Sequence, residues 1–305
     1  MNGYGAEAGM KKVALTGGAG VVGQSLRSRL RDRVASLRTV DIVDPGPLQA
    51  NEEWSATDIT DVDALTEAFR GLDGVVHMAG LNGERDIAQT LTINVLGTYN
   101  VYEAARRAGV KRVVYGSSNH VTGFYPRSTL VSPDMPMRPD SRYGLSKCWG
   151  ELTAGLFYDK HGIETLSIRI GNAQARPREP RGLIVWISPR DLTELVMIGL
   201  EHPDIGATTV YGASRSTTPW WDNSAATALG FEPQDTIADF AEPEAFLPEK
   251  VGMPEISTFF QGGWFCGNEH DGELRLRPAD RVGSAASKRL AEAGDPNARD
   301  VDIEG

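Results

Sequence analysis

The chain has 305 residues, enough for one large α/β domain with an added lobe or for two domains of ordinary size. Hydrophobic residues make up 40% and charged residues 24%, a globular composition that excludes a disordered chain. Lys and Arg total 31 against 41 Asp and Glu, and the resulting formal net charge of -10 argues against nucleic acid as a partner.

Membrane insertion and secretion are not expected either. The longest apolar stretches, such as residues 195–200, are far shorter than a membrane span. The first nine residues have neither the basic nor the apolar region of a secretory signal. The two cysteines, Cys148 and Cys266, are too few for a disulfide framework or a metal cluster, so no metal site is predicted and the cytoplasm is the expected compartment.

Strand-like and helix-like segments alternate over the first 170 residues. The predicted strands are Lys12–Thr16, Leu37–Val40, Gly74–His77, Arg112–Tyr115 and Thr165–Ile170. The predicted helices are Val21–Leu30, Val62–Phe69 (capped by Thr60 or Asp61) and Arg142–His161 (closed by Gly162). Repeated βαβ units predict an α/β fold, a Rossmann-type doubly wound parallel sheet.

A further long helix is predicted to end at Gly109. Its apolar residues recur at three- and four-residue steps, which predicts a single face made of Ile87, Leu91, Val95, Tyr99 and Tyr102.

The alternation stops after Gly171, which predicts a small C-terminal substrate-binding lobe. Residues 188–191 read Ser-Pro-Arg-Asp, a capped helix start, and this helix is predicted to continue to about residue 200. A strand is predicted over Thr208–Tyr211, and residues 220–223 open a short helix. The predicted organisation is a cofactor-binding core over 10–175, a substrate-side lobe over 176–267, and a polar tail over 268–305 that is mobile or forms a surface helix near 284–293.

A glycine-rich loop follows the first strand and opens the first helix. Its glycines lie at Gly17, Gly20 and Gly23, where they let the backbone approach a pyrophosphate at a helix N-terminus. Asp41 ends the second strand, where a carboxylate accepts hydrogen bonds from ribose hydroxyls and repels a 2′-phosphate. No Lys or Arg follows it until Arg70, so NAD is predicted rather than NADP.

Asp58 follows the third strand region, where it either bonds the adenine edge or caps the next helix.

A catalytic group is predicted at the start of the helix that begins near residue 142. Tyr143 and Lys147 stand four residues apart and so share a helix face, where the ammonium favours the phenolate and is expected to lower the pKa of the tyrosine. Tyr143 then serves as a general base, and Ser118, at the end of a strand, orients the same substrate oxygen.

These motifs together resemble the extended short-chain dehydrogenase/reductase superfamily. The matching segments are TGGAGVVG at 16–23, HMAG at 77–80, NVLGTYNVYEAA at 94–105, YGSSN at 115–119, YGLSK at 143–147 and IRIGN at 168–172. The resemblance implies an NAD enzyme with Tyr143 as base, Lys147 on the nicotinamide ribose and Ser118 on the substrate oxygen. It also implies further cofactor contacts from Val21, Val22, Asp58, Ile59, Met78, Ala79, Gly80, Asn94 and Ile170.

A second set of segments is similar to the uronate dehydrogenase family, which oxidises the anomeric carbon of galacturonate or glucuronate to an aldarolactone. They are SSNHVTGFYP at 117–126, YGLSKCWGE at 143–151, VYGAS at 210–214, WWDNS at 220–224 and FQGGWF at 260–265. The resemblance implies a substrate pocket formed by Asn82, Ser118, Asn119, His120, Tyr143, Asn172 and Arg181. Arg181 would bind the sugar carboxylate, for which a guanidinium is the natural bidentate partner.

Several alternatives remain open from the residues. Arg181 can be a solvated loop arginine, His120 a structural histidine and Phe265 either a pocket wall or a core residue. Asn82 and Asn172 replace the serines expected of the family, so the substrate can also be a neutral, sulfonated or phosphorylated sugar.

The rival functions are a nucleotide-sugar epimerase and a protein that only senses the dinucleotide. Dehydration is disfavoured because the residues after Ser118 are not an Asp-Glu pair. The expected partner is a small sugar, with no nucleic acid and no membrane, and the fold is compatible with a homo-oligomer.

Overall fold

The computed structural model describes residues 12–177, 179–240, 255–277 and 280. Its strands are β1 (Lys12–Thr16), β2 (Ser36–Val40), β3 (Glu52–Ser55), β4 (Gly74–His77), β5 (Arg112–Ser118), β6 (Glu164–Ile170), β7 (Asn172–Ala173), β8 (Trp186–Ile187) and β9 (Ala207–Gly212). Its α-helices are α1 (Val21–Leu30), α2 (Val62–Phe69), α3 (Ile87–Gln89), α4 (Gly97–Ala108), α5 (Arg142–His161), α6 (Pro180–Val185), α7 (Pro189–Glu201), α8 (Ser224–Ala228), α9 (Glu255–Phe259) and α10 (Trp264–Gly267).

Seven parallel strands form the central sheet in the order β3-β2-β1-β4-β5-β6-β9, which confirms the predicted doubly wound fold. The register sets Thr16 beside His77, and Ser118 beside Ile170. The carboxyl ends of these strands therefore meet at one edge. The order reverses between β1 and β4, and open α/β sheets bind ligands in the crevice at such a switch point.

Side chains alternate along β1 and divide the core into two layers. Val13 and Leu15 pack in the cluster that includes α1 and α7, whereas Ala14 points to the cluster formed with α2, α4 and α5. A strand covered on both faces is apolar along its buried length, which explains the apolar run over residues 13–15 between Lys12 and Thr16.

Helix ends follow the local signals in the sequence. The Asp61 carboxylate accepts hydrogen bonds from the backbone N–H groups of Asp63 and Ala64, so it is the cap of α2. Gly109 and Gly162 end α4 and α5 in the left-handed conformation, as predicted.

The predicted helix before Gly109 is present, but the prediction that its apolar residues share a single face is wrong. Residues Thr90–Leu96 form a π-helical segment between α3 and α4, and its wider turn changes the phase of the side chains. Ile87, Leu91 and Tyr99 are exposed, while Tyr102, beyond the π-helical segment, is fully buried.

The C-terminal residues are more closely joined to the core than the predicted lobe suggests. Helix α7 packs in the core beside α1, and β9 forms the edge strand of the main sheet. The predicted boundary at residue 175, between a cofactor-binding core and a substrate-side lobe, therefore stays a prediction about function.

The described part of the predicted tail, residues 268–277 and 280, contacts the body: Arg138 and Asp280 form a buried ion pair with N–O distances of 2.7 and 3.0 Å. The surface helix predicted near 284–293 lies outside the described residues. Across the described ranges, no helix combines the length and apolar character needed to cross a membrane.

Candidate active site

The glycine loop between β1 and α1 is shaped by close backbone contacts. Gly17 has a φ of +73°, and a Cβ atom there would lie 2.5 Å from the backbone nitrogen of Ala79. A Cβ at Gly23 would lie 2.0 Å from the carbonyl oxygen of Gly17. Side chains are excluded from both positions, so the N-terminus of α1 stays open to a phosphate group.

A cavity of about 320 Å³ lies beside this loop. Asp41 lines it, and its carboxylate accepts hydrogen bonds from the backbone N–H groups of Ala19 at 2.9 Å and Val43 at 3.0 Å. Asp58 lines it too and accepts a hydrogen bond from the Thr60 N–H at 2.8 Å. Among the described residues, its wall offers acidic groups and no basic side chain, which suits ribose hydroxyls better than a 2′-phosphate.

A larger cavity of about 860 Å³ follows along the same sheet edge, and Met78 lines both cavities. The predicted residues that line it are Val21, Val22, Asn82, Ser118, Asn119, His120, Tyr143, Lys147, Ile170, Asn172 and Arg181. The smaller cavity is lined by Gly17, Gly20, Asp41, Asp58, Ile59, Ala79 and Gly80. Most of the predicted site residues therefore face one continuous cleft.

Two predicted cofactor residues, Gly23 and Asn94, lie behind the cleft wall. The Asn94 side chain accepts a hydrogen bond from the Leu81 N–H at 2.7 Å and donates to the Leu81 carbonyl oxygen at 2.9 Å. It also donates to Ser146 Oγ at 3.0 Å. Asn94 therefore holds the loop after β4 from behind.

Lys147 and Tyr143 lie together on α5, as their spacing predicts. Lys147 Nζ donates to the Gly116 carbonyl oxygen at 2.8 Å and stands 5.7 Å from the centre of the Tyr143 ring. Burial lowers the pKa of Lys147 to about 8. Among the described residues Gly116 is its hydrogen-bond partner, which leaves N–H donors for ribose hydroxyls.

The pKa of Tyr143 corrects the expectation drawn from the sequence. Burial of the phenol raises this pKa and outweighs the Ser118 hydroxyl, whose hydrogen bond lowers it. The Asp140 carboxylate raises it further. The neighbouring ammonium alone does not make the phenol acidic.

Arg181 turns its guanidinium into the larger cavity from α6. Its Nε donates to the Gln261 carbonyl oxygen at 2.8 Å. The Asn119 amide is oriented so that both its oxygen and its nitrogen have hydrogen-bond partners. In this orientation the Asn119 oxygen accepts a hydrogen bond from Arg181 Nη2 at 3.0 Å, and the Asn119 nitrogen donates to the Ile170 carbonyl oxygen at 3.2 Å. Among the described residues no carboxylate lies within ion-pair distance of Arg181, and burial lowers its pKa.

His120 and Phe265 form the side wall of this cavity. Their ring centres are 3.9 Å apart, so Phe265 is a pocket wall rather than a core residue. His120 Nδ1 lies 2.7 Å from the Asp140 carboxylate.

The two asparagines that depart from the family have different surroundings. Asn82 is exposed at the rim of the cavity. The Asn172 oxygen accepts a hydrogen bond from Gln174 Nε2 at 2.7 Å, which leaves the Asn172 amide nitrogen as a donor. Position 172 therefore still offers a hydrogen-bond donor, as a serine would.

Sequence reasoning missed several residues of the larger cavity. They are Gly83, Glu84, Arg85, Gly116, Ser117, Gly171, Ala173, Gln174 and Glu179. Most belong to loops with no motif of their own. Glycines and serines that lie beside a motif at the end of a strand, such as Ser117 before Ser118, could have been predicted from that position.

Comparison with known proteins agrees with this geometry. The pattern of the NAD dependent epimerase/dehydratase family matches residues 13–194. A uronate dehydrogenase from Pseudomonas putida is 41% identical over 256 residues, which cover 84% of this chain and 95% of that protein.

Two solved structures are similar over most of the chain. The glucuronic acid dehydrogenase of Chromohalobacter salexigens has a TM-score of 0.80 and 39% identity, covering 87% of this chain and 100% of that one. A mutant uronate dehydrogenase from Agrobacterium tumefaciens complexed with NAD has a TM-score of 0.80 and 38% identity, covering 85% and 98%.

Proposed function

Because the chain belongs to the NAD dependent epimerase/dehydratase family, we propose that it is an NAD-dependent dehydrogenase that oxidises the anomeric carbon of a uronic acid to an aldarolactone. The observation that carries the substrate class is Arg181, a guanidinium directed into the cleft without a carboxylate partner among the described residues. A half-buried cation that faces a cleft in this way favours an anionic ligand. The names of the similar proteins support the same substrate class.

Residues of both cavities would hold NAD. The glycine loop and the N-terminus of α1 would hold the pyrophosphate, Asp41 the adenosine ribose, and Lys147 the nicotinamide ribose. When bound, NAD⁺ supplies the hydride acceptor and a positive charge near the phenol of Tyr143.

The protein's own groups move the proton. Tyr143, as phenolate, takes the proton of the anomeric hydroxyl while the bond from the anomeric carbon to its hydrogen breaks. Ser118 donates a hydrogen bond to the same oxygen, and Arg181 fixes the opposite end of the sugar through its carboxylate. The carbon–oxygen bond gains double-bond character, and the product is the lactone.

A panel of sugars tests the substrate class. Galacturonate, glucuronate, neutral aldoses, a sulfonated sugar and sugar phosphates are each mixed with the protein and NAD⁺, and the appearance of NADH is followed by absorbance. We expect the uronates to have the highest kcat/KM. A higher kcat/KM for a neutral or phosphorylated sugar, or no net NADH with any sugar, would reject the proposal, the latter in favour of an epimerase.

The variant Arg181→Ala tests the role of the guanidinium in the same assay. Removing one partner of a buried charge pair costs about 2–5 kcal/mol of binding, so kcat/KM for a uronate should fall strongly while that for a neutral aldose changes little. Arg176→Ala is the control, because Arg176 is exposed in the same segment. Equal losses for charged and neutral sugars would contradict the assignment.

We also propose that the partner, besides the sugar, is a second copy of this chain. Besides Tyr158, the exposed apolar residues of the π-helical segment, α4 and α5 are Leu91, Leu96, Tyr99, Leu145, Trp149, Leu152 and Leu156. The last four are spaced by four, three and four residues and so share one face of α5, and Tyr99 contacts Phe157 of α5 with ring centres 5.5 Å apart.

The size of this face suits a dimer. Helix α5 has 20 residues, and at 1.5 Å per residue it spans about 30 Å. Together with the exposed apolar residues of α4 it gives a larger apolar face than the single exposed residues that are normal on a monomer. The cytoplasmic location expected from the two cysteines stays a prediction.

A further inference from the structure

His120 and Asp140 form a pair beside the cleft that the proposed proton transfer does not use. His120 Nδ1 is 2.7 Å from Asp140 Oδ2, and the Asp140 side chain is fully buried. A Cβ atom at Gly123 or Gly262 would lie 1.8 or 1.9 Å from the same carboxylate oxygen. Two glycines from distant parts of the chain therefore leave the space that this carboxylate occupies.

The second carboxylate oxygen of Asp140, Oδ1, also accepts a hydrogen bond. Ser141 Oγ donates to Asp140 Oδ1 at 2.7 Å. The same Ser141 oxygen accepts a hydrogen bond from the Gly144 N–H at 2.9 Å, as the cap of α5. A hydroxyl has one proton, so Ser141 directs it to Oδ1 of Asp140, and an ionised carboxylate accepts at its other oxygen as well.

The proton between His120 and Asp140 must then lie on the imidazole. We propose that Asp140 is a positioning residue that keeps the proton of His120 on Nδ1, so that Nε2 accepts a hydrogen bond from a hydroxyl of the substrate. The inference rests on the proposed function only in taking that hydroxyl to belong to a sugar. His120 lines the larger cavity, and among the described residues Nε2 has no hydrogen-bond partner in the protein.

The ring is fixed in its plane as well as in its tautomer. Phe265 packs on one side at a tilt of 35° with a centre-to-centre distance of 3.9 Å, and the Tyr143 ring meets it edge-on at 5.9 Å. An imidazole held in this way selects a hydroxyl that donates. A sugar whose hydroxyl is removed or methylated at that position leaves Nε2 without a partner and binds more weakly.

Nitrogen NMR of the histidine side chains tests the tautomer without relying on activity. The chain has 5 histidines, and His120→Gln identifies the signals of His120 by their loss. In the wild-type protein, with and without NAD, we expect Nδ1 to carry the proton and Nε2 to be unprotonated. A proton on Nε2, alone or together with one on Nδ1, would overturn the proposal.

The variant Asp140→Asn changes the tautomer with little change in volume. The Ser141 proton selects the amide oxygen as its acceptor, so the amide N–H₂ faces His120 Nδ1 and the imidazole proton moves to Nε2. Leaving a substrate hydroxyl without its acceptor typically costs roughly 10- to 100-fold in binding. We expect KM for the uronate to rise by that factor without a fall in kcat, because the substrate loses an acceptor while loss of the Asp140 charge removes an influence that raises the pKa of Tyr143.

Asp134→Asn is the control, since Asp134 is exposed in the same loop and loses the same charge. It should change neither the His120 signals nor KM. An Asp140→Asn protein that keeps the wild-type tautomer, or that loses kcat with KM unchanged, contradicts the proposal. If the variant does not fold, the wild-type spectrum decides. If the wild type oxidises no uronate, the proposed function fails while the tautomer remains measurable.

Discussion

The chemistry of the cleft depends on what burial does to Tyr143 and Lys147. Burial raises the pKa of the phenol and lowers that of the ammonium to about 8, so it disfavours the charged form of each group. The proposed reaction needs both charges, since the phenolate takes the proton and the ammonium lies beside it. The protein therefore keeps two groups in a setting that favours their neutral forms, which is typical of functional sites.

The variant Tyr143→Phe removes the phenol oxygen and keeps the ring. We expect kcat to fall by about 10²–10⁴-fold, the usual contribution of a positioned general base. NAD binding, measured by calorimetry, should stay nearly the same because Lys147 and the glycine loop are intact. Tyr158→Phe on the exposed side of the same helix is the control. Substantial activity in Tyr143→Phe would remove Tyr143 from its assigned role.

Burial of Lys147 also predicts how stability depends on pH. Its folded pKa, about 8, lies below the ordinary value of 10.5, so the ammonium opposes folding below pH 8 and this penalty disappears as the pH rises towards 10.5. The shift corresponds to about 3 kcal/mol. Lys147→Met should therefore raise the free energy of unfolding at pH 7 by up to that amount, less the lost hydrogen bond to Gly116.

Urea unfolding of Lys147→Met and wild type at pH 7 and pH 10 measures this effect. We expect the stabilisation to be much smaller at pH 10, because the folded wild type is neutral at this lysine there and the pH is close to the unfolded-state pKa of 10.5. Lys160→Met, an exposed position near the end of the same helix, should show no such difference. A stabilisation of the same size at both pH values would refute the prediction.

At the level of elements, the π-helical segment decides where Asn94 lies. Its wider turns displace the following side chains relative to a regular helix, and such segments occur frequently at functional sites. Asn94 thereby reaches both backbone groups of Leu81, in the loop that lines the two cavities. The segment thus supports the loop beside the cavities, a role that its amino-acid pattern alone does not indicate.

The variant Asn94→Ala removes both hydrogen bonds to Leu81. At about 1 kcal/mol for each bond, loosening this loop should weaken NAD binding by roughly 10-fold or more, as measured by calorimetry. Gln89→Ala is the matched control, an exposed amide just before the π-helical segment. Unchanged NAD affinity in Asn94→Ala would show that the loop does not need this support.

Local signals explain which elements and site residues could be predicted. The glycine loop and the Tyr143–Lys147 pair each lie within a few residues, and caps such as Asp61 act on their immediate neighbours, so the sequence pattern specifies them. Asp140 and Gln174 act through contacts with His120 and Asn172 that depend on how loops pack. The π-helical segment was missed because apolar spacing does not distinguish it from a regular helix.

For the whole molecule, the parallel sheet explains why the two cavities meet. Strands β1, β4, β5 and β6 all end at one edge, where the strand ends and the loops after them supply the glycine loop, Met78, Ser118 and the segment before Asn172. The cofactor and the sugar are therefore placed side by side by the topology, whereas Arg181 and Phe265 are added by the C-terminal residues.

The apolar face on α4 and α5 lies away from this edge and gives the last prediction. Leu152 is 63% exposed near the middle of α5, within a stripe that a lone protomer would leave in water. Leu152→Glu places a charge at the centre of the proposed interface, where a two-fold dimer would bring two such charges close together. We expect light scattering to show a dimer or larger assembly for the wild type and a monomer for the variant.

Leu48→Glu is the matched control, because Leu48 is 43% exposed in the loop between β2 and β3 and lies outside the stripe. It should keep the wild-type mass. Since Leu152 is exposed in the protomer, the variant should also keep the wild-type circular dichroism, which separates loss of assembly from loss of folding. A monomeric wild type, or a Leu152→Glu protein that retains the wild-type mass, would show that another surface, or none, joins copies of this chain.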